Sequence, residues 1–328
     1  MRARRRSHVL EKIGLIEALG LLPLDRTARE ARIALLGDGQ TPKSRFDLSS
    51  LRQLQPRYSV PLWLGRAPHG RLVPITNLFN HRQPPPELGW SVRVTDVRDF
   101  RGGTNSYDSH NGTDFAVPPG TTVVAAAPAT VLRISSEFHR GGRKVFLDHG
   151  RGLATSYNHL ARFLVRPGQR VARGEPIAIS GYSGIDALVG FPWTPPHVHF
   201  NVWLNGEYVD PFSCEGSTPA LWRTGNAPVP SSDHHDHALE PTAWDERVLD
   251  AIVAACEHAP TRAELESAPT TIERAGAALM HLNYFPTRFG SRARALRASL
   301  YPTHFAREPR LDLPFARRDY DGVHFPDR

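Results

Sequence analysis

The sequence has little with which to cross-link itself or to cross a membrane. Only two of its 328 residues are cysteine, so at most one disulfide can form. Cys256 falls on the apolar face of a predicted helix, where a buried free thiol is expected, and the pair settles no compartment. No apolar run approaches the roughly 20 residues that span a bilayer. The nearest candidate, Ile13 to Leu24, is broken by Glu17 and is followed by no small-residue cleavage site, so no signal peptide is read. Nor is there a His-Glu-x-x-His segment, which excludes a helix-borne glutamate as general base.

Proline and glycine are plentiful, 29 and 26 residues, and cluster between about 60 and 230, where they favour short strands and turns over long helices. The net charge of +7 is unevenly placed: residues 1–85 carry 15 Lys/Arg against 6 Asp/Glu, the remainder 25 against 27. Arg2, Arg4, Arg5 and Arg6 form either a solvated basic tail or a nonspecific contact for an anionic surface. From His8 to Gly37 the apolar spacing suits two short helices. Leu62 to Pro86 reads as an extended strap. Strands are expected at Ser91–Thr95, Thr121–Ala125, Ala129–Ile134, Lys144–Asp148, Ala154–Asn158, Pro176–Ser180 and His197–Leu204, the spacing of an antiparallel β core. Pro228 to Pro241, with Asp233-His234-His235-Asp236-His237, reads as a linker. Beyond it Thr242 is expected to cap a helix carrying Val248, Leu249, Ile252 and Val253, and Thr271 to open a second.

Two histidine-bearing segments carry chemistry. In His110-Asn111-Gly112-Thr113-Asp114, an extended backbone would turn positions i and i+4 to one side. In His197-Val198-His199 two imidazoles share one face while Val198 and Phe200 face a core. Two neutral imidazoles and one carboxylate suit a catalytic Zn²⁺, which needs an open fourth position. With His110, Asp114 and His199 given to the metal, His159 and His197 are left to move a proton or stabilise an oxyanion.

The ordered segments His110 to Phe115, Asp148 to Gly152, Tyr157 to Leu160, Pro167 to Gly174 and Pro196 to Phe200, closing at Val209-Asp210-Pro211, together resemble the lysostaphin-type (LytM-like) zinc endopeptidases. The resemblance implies a mainly β catalytic domain, an antiparallel sheet of duplicated-hybrid-motif type; the small helical extensions expected at both termini fall outside it. It implies one Zn²⁺ per chain on His110, Asp114 and His199, His159 and His197 as catalytic residues with exchangeable roles, and cleavage of peptide bonds in peptidoglycan cross-links. A cell-envelope or periplasmic location follows from the resemblance alone; no nucleic-acid partner is expected. His149 and Tyr157 fit the pattern, yet a turn-stabilising histidine and a packed aromatic explain them equally well. The loop Ser183 to Pro196 is longer than the pattern and is expected to border the cleft.

The domain organisation expected is a basic helical segment at 1–60, a linker or strap at 61–88, a zinc peptidase domain at 89–225, a linker at 226–241 and a helical region at 242–328. The strap, or Asn105, either occludes the cleft or packs as a support. Val165 to Gly174 also has the hairpin pattern of biotin and lipoyl carriers, but those need a modifiable lysine, and Lys144 is the only lysine beyond Lys43. A sugar-phosphotransferase histidine pair would not need Asp114, which would repel the phosphoryl group. The remaining alternative is a noncatalytic cell-wall-binding or amidase-activating module.

Overall fold

Period-two alternation of apolar residues organises the molecule, which is known from a computed structural model describing residues 9–214, 218–232 and 238–326, with the backbone alone at 187 and 188. The basic cluster Arg2 to Arg6 and the tract Asp233 to His237 lie outside the described residues. Eleven strands join in one sheet: β1 (Leu72–Asn77), β2 (Thr113–Ala116), β3 (Thr122–Val124), β4 (Ala129–Glu137), β5 (Gly142–Asp148), β6 (Leu153–Phe163), β7 (Arg170–Val171), β8 (Pro176–Ser180), β9 (His197–Leu204), β10 (Glu207–Tyr208) and β11 (Gly322–His324). The main order is β11-β1-β2-β9-β6-β5-β4-β7, with β10 on β9 and β3 joined through β8 to β6. Every pairing is antiparallel except β1 with β11. β6 is the hub: β9 and β5 flank its first part, and β8 takes over from Leu160.

The two faces of β9 show what this alternation achieves. Val198, Phe200 and Val202 point into the main core with Phe115, Tyr157 and Trp222. On the other face Trp203 packs with Phe146, Ala154, Leu279, Met280 and Phe285. His197, His199 and Asn201 therefore share a face with Trp203.

Helices α1 (Leu15–Leu19), α2 (Leu24–Leu36) and α3 (Pro56–Trp63) precede the sheet, α4 (Ile185–Gly190) lies in the long loop before β9, and α5 (Glu246–Ala254), α6 (Ala259–Glu266), α7 (Thr271–Tyr284) and α8 (Ser291–Ala295) form a C-terminal group with its own apolar cluster. None of the helices among the described residues is long and apolar enough to cross a membrane. One expected cap shifts. Asp245, not Thr242, accepts from the backbone N–H groups of Arg247 and Val248, because Thr242 is engaged by the Asp148 carboxylate. α7 begins at Thr271 as expected, with Thr270 capping it through the Glu273 N–H.

The segment expected to be a strap does more than drape: β1 lies in it and pairs with β2. Lys144, the lysine that a carrier role would need exposed, is fully buried. Its Nζ lies 2.6 Å from the Glu137 carboxylate and donates to the carbonyls of Arg140 and Gly142, tying off the β4–β5 hairpin. Burial opposes the charge on Glu137, but the charge and hydrogen bond of Lys144 outweigh it and hold the carboxyl down to about 2.

Lys144→Met should cost about 3–5 kcal/mol, because it leaves a carboxylate buried without its partner; urea unfolding at neutral pH measures it. Since the folded Glu137 pKa lies below its ordinary 4.5, the contribution of this pair is present above that value and is lost as pH falls towards 2. The difference in melting temperature between the parent and a Glu137→Gln variant should shrink over that window.

Candidate metal centre

β2 and β9 run antiparallel with Asp114 directly opposite His199 and Phe115 opposite Val198, so the carboxylate and imidazole project from one face while their neighbours enter the core. Asn77 of β1 stands opposite Asp114 on its other side. His110 arrives differently from the extended i, i+4 relation expected of it: β2 starts only at Thr113, and His110 closes a turn in which its N–H donates to the Tyr107 carbonyl at 3.1 Å. Gly112 lets this segment press against β9. A Cβ there would stand 2.6 Å from the Phe200 carbonyl oxygen and 2.9 Å from His199 Nε2.

Three atoms converge. His110 Nε2 lies 3.1 Å from His199 Nδ1 and 3.0 Å from Asp114 Oδ1, and His199 Nδ1 lies 2.7 Å from the same oxygen. His110 and Asp114 are almost wholly buried, His199 nearly so. The partners behind them fix the protons. His110 Nδ1 is 2.6 Å from the Leu78 carbonyl, which can only accept, so Nε2 carries the lone pair. On the far side of His199, Nε2 faces Asn111 Oδ1 at 3.3 Å. Asn201 Nδ2 also lies near that nitrogen, but its two hydrogens go to the Asn111 carbonyl at 2.8 Å and Asn111 Oδ1 at 3.0 Å. His199 Nε2 is then the N–H, and its Nδ1 lone pair joins the cluster. Three acceptors with no proton among them demand a cation. A tetrahedral Zn²⁺ with bonds of roughly 2.0–2.1 Å spaces its ligand atoms roughly 3.3 Å apart, so the set needs to open by only a few tenths of an ångström. This buried His-His-Asp cluster, whose ligand atoms all lie within 4.8 Å of one another, is suited to a single Zn²⁺.

Electrostatics agree. Burial disfavours the charge on Asp114, yet the imidazoles of His110 and His197 that face it pull the carboxyl well below its usual range, a polarity that a bound cation would reinforce. Burial pushes His199 down to about 4 against the pull of Asp114, keeping it neutral and able to ligate. Asn77 Nδ2 donates to Asp114 Oδ2 at 2.8 Å, which leaves Oδ1 to the cluster.

His159 and His197 stand beside this set. Tyr157 faces the core and Asn158 pairs across from His199, so alternation alone would turn His159 towards the core. Instead Asn158 and His159 together span the place opposite Lys144, where the β5–β6 register slips by one residue. His159 takes φ +61°, a left-handed conformation rare for a side chain of this size. The bulge re-aims its ring to 4.8 Å from that of His197 and 6.1 Å from that of His199. Its Nδ1 donates to the Ser183 carbonyl at 2.8 Å, and His197 Nδ1 to the Pro195 carbonyl at 2.8 Å. Both carbonyls belong to the long loop that carries α4, so this loop borders the cleft and also sets two tautomers. Burial is the largest influence that keeps His159 well below the ordinary imidazole pKa.

Residues 108–211 match the sequence model of peptidase family M23. The matched residues hold the whole His-His-Asp cluster. It is 42% identical over 104 residues to an "Uncharacterized metalloprotease" of Haemophilus influenzae, covering 32% of this chain and 20% of that protein. It is 33% identical over 127 residues to "Peptidoglycan DD-endopeptidase ShyA" of Vibrio cholerae, covering 38% of this chain and 28% of that protein. The catalytic domain of lysostaphin from Staphylococcus simulans is 28% identical over 32% of this chain and 77% of that one, with a TM-score of 0.28.

Several groups that support the M23 centre carried no sequence signal. Asn77 and Leu78 lie before the matched segment and Tyr284 lies after it. The Tyr284 hydroxyl donates to Asn201 Oδ1 at 2.7 Å and so braces the asparagine that braces Asn111. Asn201 alone could have been noticed, as a polar residue at i+2 from His199 on a strand otherwise apolar. His149 and Tyr157 take their plainer roles: His149 bonds the Pro128 carbonyl and Thr155 in a buried turn, and Tyr157 receives the Ala126 N–H inside the core. Asn105 packs in the Asp99 turn and is not part of the cleft wall. Asn77→Ala should weaken zinc binding about 10- to 100-fold, read by competition with a chromogenic chelator, with little change in the melting temperature of the zinc-loaded protein.

Proposed function

We propose that this chain is a zinc-dependent endopeptidase that hydrolyses peptide bonds in peptidoglycan cross-links, working in the cell envelope, with residues 89–225 as the catalytic unit between the flanking segments 1–60, 61–88, 226–241 and 242–328. The carrying observation is the arrangement of the four imidazoles. Each gives one N–H to a fixed oxygen, so that His110 and His199 present lone pairs to one point and His159 and His197 present their Nε2 atoms beside it. A structural site would close the fourth position; here two further imidazoles border it instead. The substrate class is supported by the likeness to "Peptidoglycan DD-endopeptidase ShyA", although this chain spans only 20–28% of the two curated relatives named above.

Bound by this set, Zn²⁺ supplies Lewis acidity towards a water and the substrate carbonyl. His159, neutral because its pKa is depressed, accepts the proton of the attacking water at Nε2. His197, whose Nε2 lies 3.5 Å from Asp114 Oδ1, borders the same position, and in its protonated form it donates to the developing oxyanion. Asp186, whose carboxylate is 3.7 Å from His159 Nδ1, steadies the ring as it gains charge.

His159→Ala should retain one zinc per chain and lose roughly 10²–10⁴ in cleavage rate, measured by mass analysis of products from defined peptidoglycan fragments. A zinc-loaded parent protein that binds cell wall but cuts none of these fragments would point instead to the noncatalytic activator reading.

A further inference from the structure

The cleft over the metal centre encloses about 930 Å³ and is walled by the sheet, the strap and the C-terminal helices together. Its charges are nearly all satisfied. Arg294 pairs with Glu87, Arg297 with Glu207, and His81 with Asp210 at 3.1 Å. Arg307 donates to the carbonyls of Pro219 and Asp210. Arg140 differs. Among the described residues no carboxylate lies within ion-pair distance of its guanidinium, no hydrogen bond engages it, and its Nε is buried without a partner. The side chain is held by its stem and by the Trp90 ring, whose centre lies 5.6 Å from the guanidinium carbon. Burial pulls its pKa down to about 10, which still leaves it charged at neutral pH. A desolvated cation without an anion is costly.

Its position is tied to the chemistry. Arg140 sits in the β4–β5 turn, next to Gly141, whose carbonyl receives the His159 N–H at 3.0 Å. Trp90 packs 5.7 Å from the Tyr107 ring, and Tyr107 packs 4.6 Å from His110. One aromatic ring thus separates the Trp90–Arg140 stack from a metal ligand. Arg140 lines the same cleft as Asn158, His159 and His199, so an extended peptide lying across the centre also runs past the guanidinium.

We propose that Arg140 is an anion-binding subsite of this cleft, taking a free carboxylate that the substrate peptide carries near the bond that is cut. The inference deepens the endopeptidase reading and rests on it for the name of the substrate. Arginine suits the task because its planar fork matches a carboxylate with two parallel hydrogen bonds. Stacking on Trp90 orients that fork in advance and lowers the entropy lost on binding.

The test uses the full-length zinc-loaded protein and two synthetic cross-linked peptides, identical except that the carboxylate flanking the scissile bond is free in one and a carboxamide in the other. The parent should prefer the free acid by about 10- to 100-fold in kcat/KM. Arg140→Gln should bring the free acid down to the level of the amide while leaving the amide unchanged, and Arg140→Lys should restore part of the preference. Equal use of both peptides by the parent, or an equal loss on both in Arg140→Gln, overturns the proposal. Binding of the same pair to the zinc-loaded His159→Ala protein, followed calorimetrically, reads the subsite without catalysis. If the parent cuts neither peptide yet that protein still discriminates through Arg140, the endopeptidase reading fails and the subsite stands. If it does not discriminate, the subsite fails too.

Discussion

The centre depends on one constraint: each of four imidazoles must surrender an N–H to an oxygen that can only accept it. Without those oxygens a neutral imidazole can present either nitrogen to the cleft, and the convergence of lone pairs would be one arrangement among several. The acceptors come from separate parts of the chain. Leu78 lies just past β1, Ser183 and Pro195 belong to the loop around α4, and Asn111 precedes β2. A buried hydrogen bond of this kind contributes only about 1 kcal/mol net. Its larger effect is to select one tautomer, and the selection requires all of these segments to be in place together.

The flanking helices hold those segments. Trp63 of α3 meets Phe191 edge-on with ring centres 4.9 Å apart, and Ser59 donates to the Thr194 carbonyl, so the loop that orients His159 and His197 is gripped from the N-terminal side. Leu19 of α1 packs against Tyr182 at its start. From the other terminus α7 inserts Tyr284 beside Asn158 and Asn201. Along β9 the exposed-to-buried order His197, His199, Asn201, Trp203 then reads as cleft imidazole, cluster imidazole, brace and anchor on one face.

Much of this was legible in the sequence, and the reasons are specific. Alternation in His197 to Leu204 gives both a strand and a face, because burying Val198, Phe200 and Val202 leaves His197 and His199 no other side to occupy. The ordered segments from His110 to Pro211 indicate the M23 centre. His110 was located for a reason that does not hold, since a turn and the missing Cβ of Gly112 bring it in, not an extended strand. Three of the four tautomer-fixing oxygens were invisible because they are backbone carbonyls, which every residue has; the fourth belongs to the Asn111 side chain. The bulge at His159 depends on register with β5, a property of two strands that no single segment displays. Leu62 to Pro86 concealed β1 because Pro74 and neighbouring polar residues weaken its strand pattern, and the pairing with β2 supplies what local propensity lacks.

β1 has a consequence for how the molecule can be divided. It covers the outer edge of β2 and is itself covered by β11 from the far end of the chain. The segment that matches family M23 begins at residue 108, so a fragment cut there would bare the N–H and C=O row of β2, an open template for pairing with another copy. The stretch of sequence that is shared with relatives and the stretch of backbone that closes its own hydrogen bonds are different lengths of chain, and only the longer one keeps the sheet from seeking a neighbour.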